Sequence, residues 1–239
     1  MMIHKRTRIR FGILLLSLLL LALAAAGCGN KKDEPESKQA ANVEQVDDSQ
    51  QGSGSAKQDA AAKQWDKMPD MSIDPSKQYS AVFHTNKGEF TVNLFADEAP
   101  TTVNSFVFLA KNNFYNGITF HRIIETFMIQ TGDPTGTGTG GPGYNIPDEL
   151  GSDHKYDVGT VAMANTGMPD SGGSQFFICT GEVCSNLNTQ PNYTIFGQVT
   201  DGMDAVMSIA KTPVVMGEDG NPSKPTEKVT IDSIDIIEK

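Results

Sequence analysis

The stretch FHRIIETFMIQTGD, residues 120–133, decides how the chain is read. Its apolar residues suit a pair of buried strands, yet His121 and Arg122 stand directly in front of the first run. A guanidinium is permanently charged and is almost never left unpaired in a core. Arg122 is therefore either held in a structural ion pair or set at the wall of an apolar pocket.

The surrounding chain favours short strands. YSAVFHT and EFTVNLF, joined through Asn86, Lys87 and Gly88, read as a hairpin. In ADEAPTTVNSFVFLAKNN, Pro100 marks a helix start and Val103, Phe106, Val107 and Ala110 recur at helical spacing, which predicts a helix over residues 99–111. The runs ITFHRII, FMIQTGD, GTVAMAN, SQFFICT and YTIFGQV follow as β-type segments. MDAVMSIAK fits a second helix, and KVTIDSIDII alternates as a closing strand. Many short strands with only two helices predict an antiparallel barrel or sandwich formed by residues 72–239, in place of an α/β sheet.

The first 71 residues have a different character. Lys5, Arg6, Arg8 and Arg10 precede an apolar run of about 15 residues, right for the core of a signal peptide and short for a membrane span of about 20. The run ends in AAGC, which resembles the lipobox of bacterial lipoproteins. Residues 1–27 are thus expected to be a lipoprotein signal peptide, with Cys28 lipid-modified and the protein held at the extracytoplasmic face of the cell membrane. An ordinary secretory signal would instead leave Cys28 as a chance thiol. Residues 28–71 are dominated by Lys, Asp, Glu, Gln, Ser, Gly and Ala and read as a disordered tether with an end-to-end distance of roughly 36 Å.

Removing residues 1–27 takes away four of the 19 basic residues and none of the 29 acidic ones, leaving a net charge of about −14. Such a field excludes nucleic acid and anionic headgroups as general partners. Cys179 and Cys184 are five residues apart and could bridge in an oxidising compartment. A cysteine inside QFFICT reads more readily as a buried hydrophobe.

Other chemistries are poorly supported. GTGTGG at residues 136–141 contains G-x-G-x-x-G, but Pro142 and Gly143 follow it where a dinucleotide site needs a helix. His84, His121 and His154 show no metal-ligand spacing, and GGSQF lacks a nucleophile elbow. No cofactor, no metal and no obvious nucleophile are expected.

Five blocks, FHRIIETFMIQTGD, GTGTGG, GTVAMANT, GGSQFFICT and YTIFGQVTDGMD, come in the order and near the spacing of the cyclophilin family of peptidyl-prolyl cis-trans isomerases. The likeness covers residues 78–237. The resemblance implies a closed eight-stranded antiparallel barrel capped by two α-helices, all-β in class, acting as a monomer on proline-containing unfolded or partly folded polypeptides. It assigns Arg122 and Gln130 to catalysis. Phe127, Met128, Phe177, Leu187 and Tyr193 become walls of a proline pocket, and Ala164, Asn165 and Gln175 a rim that pairs with substrate backbone. His121 either helps to position Arg122 or simply packs. A cyclophilin-like domain kept only for docking clients in the cell envelope is the alternative. GEVCSNLNTQPNYTIFG is longer than is usual in the family, and no tryptophan lies near Leu187. The single tryptophan, Trp65, falls in the expected tether.

Overall fold

Period-two alternation shapes the sheet. Strand β1, Tyr79–Thr85, turns Tyr79, Ala81 and Phe83 inward, and β2, Gly88–Leu94, buries Phe90, Val92 and Leu94. Their register sets Phe83 opposite Phe90, and the rings stack with centroids 4.5 Å apart. The turn between them places Gly88 at φ +120°, a conformation that L side chains rarely adopt.

A computed structural model describes residues 63–239. The expected signal peptide, Cys28 and the tether as far as residue 62 lie outside the described residues. The remaining strands are β3 (Arg122–Ile124), β4 (Met128–Thr131), β5 (Thr160–Met163), β6 (Phe176–Cys179), β7 (Ile195–Asp201), β8 (Val214–Met216), β9 (Pro222–Pro225) and β10 (Ile231–Glu238). Eight of them form one sheet in the order β10-β1-β2-β7-β5-β6-β4-β3, with every neighbouring pair antiparallel; β8 and β9 make a separate hairpin.

The expected closed barrel is not formed: the sheet is a curled half-barrel with β3 and β10 as its edges. A single bridge, Thr119 to Thr230, spans the gap. Around it the Gly117 N–H donates to the Ile231 carbonyl (2.7 Å) and the Phe120 N–H to that of Val229 (3.0 Å). On the other edge of this segment the His121 N–H donates to the Gln130 carbonyl (3.1 Å) and leads into the pairing of β3 with β4.

Among the described residues three helices accompany the sheet. Helix α1, Pro100–Lys111, begins with proline at its first turn, where a missing N–H is harmless. Ala99 supplies no side-chain cap; the Glu149 carboxylate takes that place, accepting from the N–H groups of Thr101 (2.9 Å) and Thr102 (2.8 Å). Helix α2, Met203–Ala210, buries Val206, Ile209 and Ala210. The third is a 3₁₀ helix, Glu182–Thr189, to which the sequence reading assigns no element. The β8–β9 hairpin is likewise absent from the sequence reading. No helix among the described residues is long and apolar enough to cross a membrane.

The folded part also begins earlier than composition indicates. Trp65 and Met68 pack against the main core, and the buried Asn104 accepts from the N–H groups of Ser72 (2.8 Å) and Ile73 (3.3 Å). Residues 63–71 are polar enough to read as tether, but one tryptophan provides enough apolar surface to hold them.

Because Glu149 satisfies two orphan amides at a helix N-terminus, Glu149→Ala is expected to destabilise the domain by about 1 kcal/mol. A melting experiment should show that as a fall of about 2–4 °C.

Candidate active site

Register explains how a charge can sit beside core residues. Ile123, Ile129, Ile178 and Val161 pair in one row across β3, β4, β6 and β5, and all four belong to the main core. The adjacent row, Arg122, Gln130, Phe177 and Ala162, must face the other way. Met128 and Cys179, paired two residues further along, share that second face. There Met128, Ala162, Phe177 and Cys179 join Tyr156, Cys184 and Ile195 in a separate apolar cluster. Phe127, Ala164, Leu187 and Tyr193 lie half-buried against it. The structure thus brings the expected pocket residues together, Leu187 included, and stands Arg122 at their edge.

The guanidinium is oriented. Its Nε donates to Asp219 Oδ2 at 2.7 Å, Nη1 lies 3.6 Å from the Met128 sulfur, and Cζ is 6.0 Å from the centre of the Phe127 ring. Both readings of Arg122 therefore hold in part, because the ion pair uses Nε while the Nη1 side turns to the apolar cluster. The side chain remains 28% exposed, open to a ligand. Asp219 sits in the β8–β9 turn, where its Oδ1 accepts from the Ser223 hydroxyl (2.7 Å) and the Asn221 N–H (3.1 Å). Burial resists ionisation of Asp219, but the bonds from Arg122, Ser223 and Asn221 outweigh it and hold its pKa at about 2. Burial pushes the pKa of neighbouring His121 down, and neither of its ring nitrogens has a partner. An uncharged His121 leaves Arg122 as the cation of this face.

Beside the apolar cluster opens a cleft of about 700 Å³, lined in part by Gln130, Ala164, Asn165 and Gln175. Ala164 belongs to both regions. Gln130 Nε2 donates to Gln175 Oε1 (3.1 Å), and Gln175 Nε2 donates to the carbonyls of Gly138 (3.0 Å) and Gly140 (2.9 Å). The amide side chains are thereby locked to the glycine-rich loop. Asn165 Nδ2 donates to the Asn192 carbonyl (2.9 Å), and the Ala164 N–H is taken by the Gln175 carbonyl (2.9 Å).

Supports that the sequence did not reveal hold the outer wall. Cys179 and Cys184 are not simply buried hydrophobes; they form a disulfide that ties β6 to the 3₁₀ helix carrying Leu187. The Thr180 N–H bonds the Phe127 carbonyl (2.9 Å) and the Val183 N–H the Thr126 carbonyl (3.1 Å), while a Cβ at Gly181 would strike the Thr126 backbone. The Tyr156 hydroxyl donates to the Tyr193 carbonyl (2.6 Å) and accepts from the Tyr193 N–H (3.1 Å).

Fold and site together define a class: a β-rich domain with an apolar slot, an oriented cation at its lip and an adjoining polar cleft. The family described as cyclophilin type peptidyl-prolyl cis-trans isomerase/CLD matches residues 80–236. Peptidyl-prolyl cis-trans isomerase A of Mycobacterium tuberculosis is 43% identical over 180 residues, covering 68% of this chain and 94% of that protein. A Staphylococcus saprophyticus protein named as a peptidyl-prolyl cis-trans isomerase is 40% identical over 185 residues, covering 66% of this chain and 91% of its own. The crystal structure of a Cryptosporidium parvum cyclophilin type peptidyl-prolyl cis-trans isomerase is 32% identical, with a TM-score of 0.60 over 67% of this chain and 98% of that one. The same protein has been crystallised in the presence of the dipeptide Ala-Pro. This chain belongs to the cyclophilin-type peptidyl-prolyl cis-trans isomerases, enzymes that turn the bond preceding proline.

Asp219→Asn is expected to lower kcat several-fold with little change in stability, since an exposed ion pair contributes only about 0–1 kcal/mol to folding. The folded pKa of Asp219 is depressed, so the pair is complete above the ordinary carboxylate range and is lost only as pH falls through about 2. A rate profile of the wild-type enzyme from pH 5 to 8 should therefore show no acid limb from this residue.

Proposed function

We propose that the enzyme turns X-Pro bonds by aiming the Arg122 fork at the imide nitrogen while proline occupies the apolar slot, and that its clients are exported polypeptides. Rotation must cross a barrier of about 18–20 kcal/mol, which makes the uncatalysed event take tens to hundreds of seconds. Midway through the turn the nitrogen loses resonance and regains a lone pair, so a donor placed there stabilises the transition state above either planar state. Raising a rate near 0.01 per second to about 1000 per second requires about 7 kcal/mol. A charge-assisted hydrogen bond contributes about 1.5–3 kcal/mol, so the remainder falls to positioning by Phe127, Met128, Phe177, Leu187 and Tyr193 and to backbone pairing at Gln130, Ala164, Asn165 and Gln175.

The observation that carries this reading is the guanidinium held through Nε beside Met128 and Phe127. Crystallisation of the Cryptosporidium relative with Ala-Pro supports a proline-containing ligand. Arg122→Ala is expected to reduce kcat/KM on a proline peptide more than tenfold with an unchanged circular dichroism spectrum. A folded variant with wild-type activity would refute the mechanism.

We also place the protein on the extracytoplasmic face of the membrane, anchored through Cys28. The cationic start, the short apolar run and AAGC support it. A disulfide within the catalytic domain suits an oxidising compartment. Metabolic labelling with a radioactive fatty acid should mark the wild-type chain, whereas Cys28→Ser should carry no label and leave the membrane fraction.

A further inference from the structure

We propose that residues 63–66 are a working part of the substrate groove, in which Trp65 braces the glycine-rich loop and Gln64 forms a rim that selects the side chains flanking the proline. The inference rests on the isomerase reading of the adjoining site.

The segment is attached at several points. The Trp65 N–H donates to the Pro142 carbonyl at 2.8 Å, and its indole meets Phe108 edge-on at 5.2 Å and Phe114 at 5.9 Å. Lys63 Nζ donates to the Asn112 carbonyl at 2.9 Å, just beyond the end of α1. The contact with the loop is backbone to backbone: Gly143 has φ +94°, and a Cβ there would come within 2.6 Å of the Trp65 carbonyl oxygen. From the inner side, Asp133 accepts from the N–H groups of Thr135, Thr137 and Gly138. The loop is thus clamped between Asp133 and Trp65, and it forms one wall of the cleft.

Gln64 lines that cleft together with Ala164, Asn165 and Gln175. No lining residue is charged: a substrate side chain meets amides, hydroxyls, carbonyls, an alanine, a tyrosine and a proline. Such a wall accepts a neutral side chain and leaves a charged one without a partner. Gln64 is exposed, so a charge can be installed there without disturbing packing. Residues 64 and 65 precede the matched region 80–236, so Gln64 joins the cleft from outside the shared domain.

The test uses the full chain and a set of proline tetrapeptides differing only in a Glu, Lys or Ala beside the X-Pro pair. Gln64→Lys should raise the kcat/KM ratio of Glu to Lys peptides by about threefold or more, Gln64→Glu should reverse the preference, and added salt should erase both effects. Trp65→Ala should raise KM for the tetrapeptides several-fold while kcat is kept. Unchanged peptide ratios in both charge variants, or an unchanged KM in Trp65→Ala, would overturn the proposal. Arg122→Ala run in parallel separates the two claims: if it is inactive while the ratios stay put, only the groove wall fails; if it is fully active, the isomerase mechanism fails instead.

Discussion

The structure depends on four strands that are buried on both faces for different purposes. In β3, β4, β6 and β5 the inward row is spent on the core through Ile123, Ile129, Ile178 and Val161. Period two then leaves Arg122, Gln130, Phe177 and Ala162 in line on the opposite face, with no role in closing the barrel interior. Four strands at about 4.8 Å spacing make this row about 14 Å long, the span of roughly four extended residues. Function and folding use alternate residues of the same strands, so a one-residue slip in register would destroy both.

That economy also explains what was legible in the sequence. Arg122 could be singled out because a guanidinium beside an apolar run breaks the pattern of a strand. The β1–β2 hairpin and α1 were legible because their signals are local: turn residues at Gly88, proline at position 100, apolar spacing through Ala110. The residues that finish the site are not local. Asp219 is 97 residues from Arg122, in a polar turn that nothing marks as special. The 3₁₀ helix is short and mostly polar, and its position is set by the Cys179–Cys184 bridge and the carbonyl of Thr126. Barrel closure failed as an expectation because it depends on pairing between residues 117–120 and 229–231, which lie far apart in the chain and carry no local signal of how far their ladder extends.

The glycine string of residues 136–141 shows how similar physics serves a different end. Its amides converge on an anion, as in a phosphate cradle, but the anion is Asp133 of the same chain, buried and satisfied by Thr135, Thr137 and Gly138. Burial resists ionisation there, yet the bonds from the loop keep the carboxyl below its ordinary pKa. The loop is filled from within. Gly140 is required by close approach, since a Cβ there would overlap Asp133 Oδ1, and Gly136 and Gly138 by their positive φ. What remains for a ligand is the outer side, where the loop carbonyls orient Gln175.

Pairing the cation proposed for catalysis with a carboxylate looks wasteful, and simple electrostatics shows why it is not. Coulomb energy falls as 1/r, so a carboxylate roughly 7 Å from the donor's target takes back less than half of what a guanidinium nitrogen roughly 3 Å from it provides. More than half of the attraction survives because Asp219 binds Nε, on the side away from Met128 and Phe127. A carboxylate bound across both terminal nitrogens would instead occupy the donors themselves. In exchange for part of its field, Arg122 gains a fixed heading. Heading matters more here, since the lone pair it must meet exists in one direction and only while the bond is twisted.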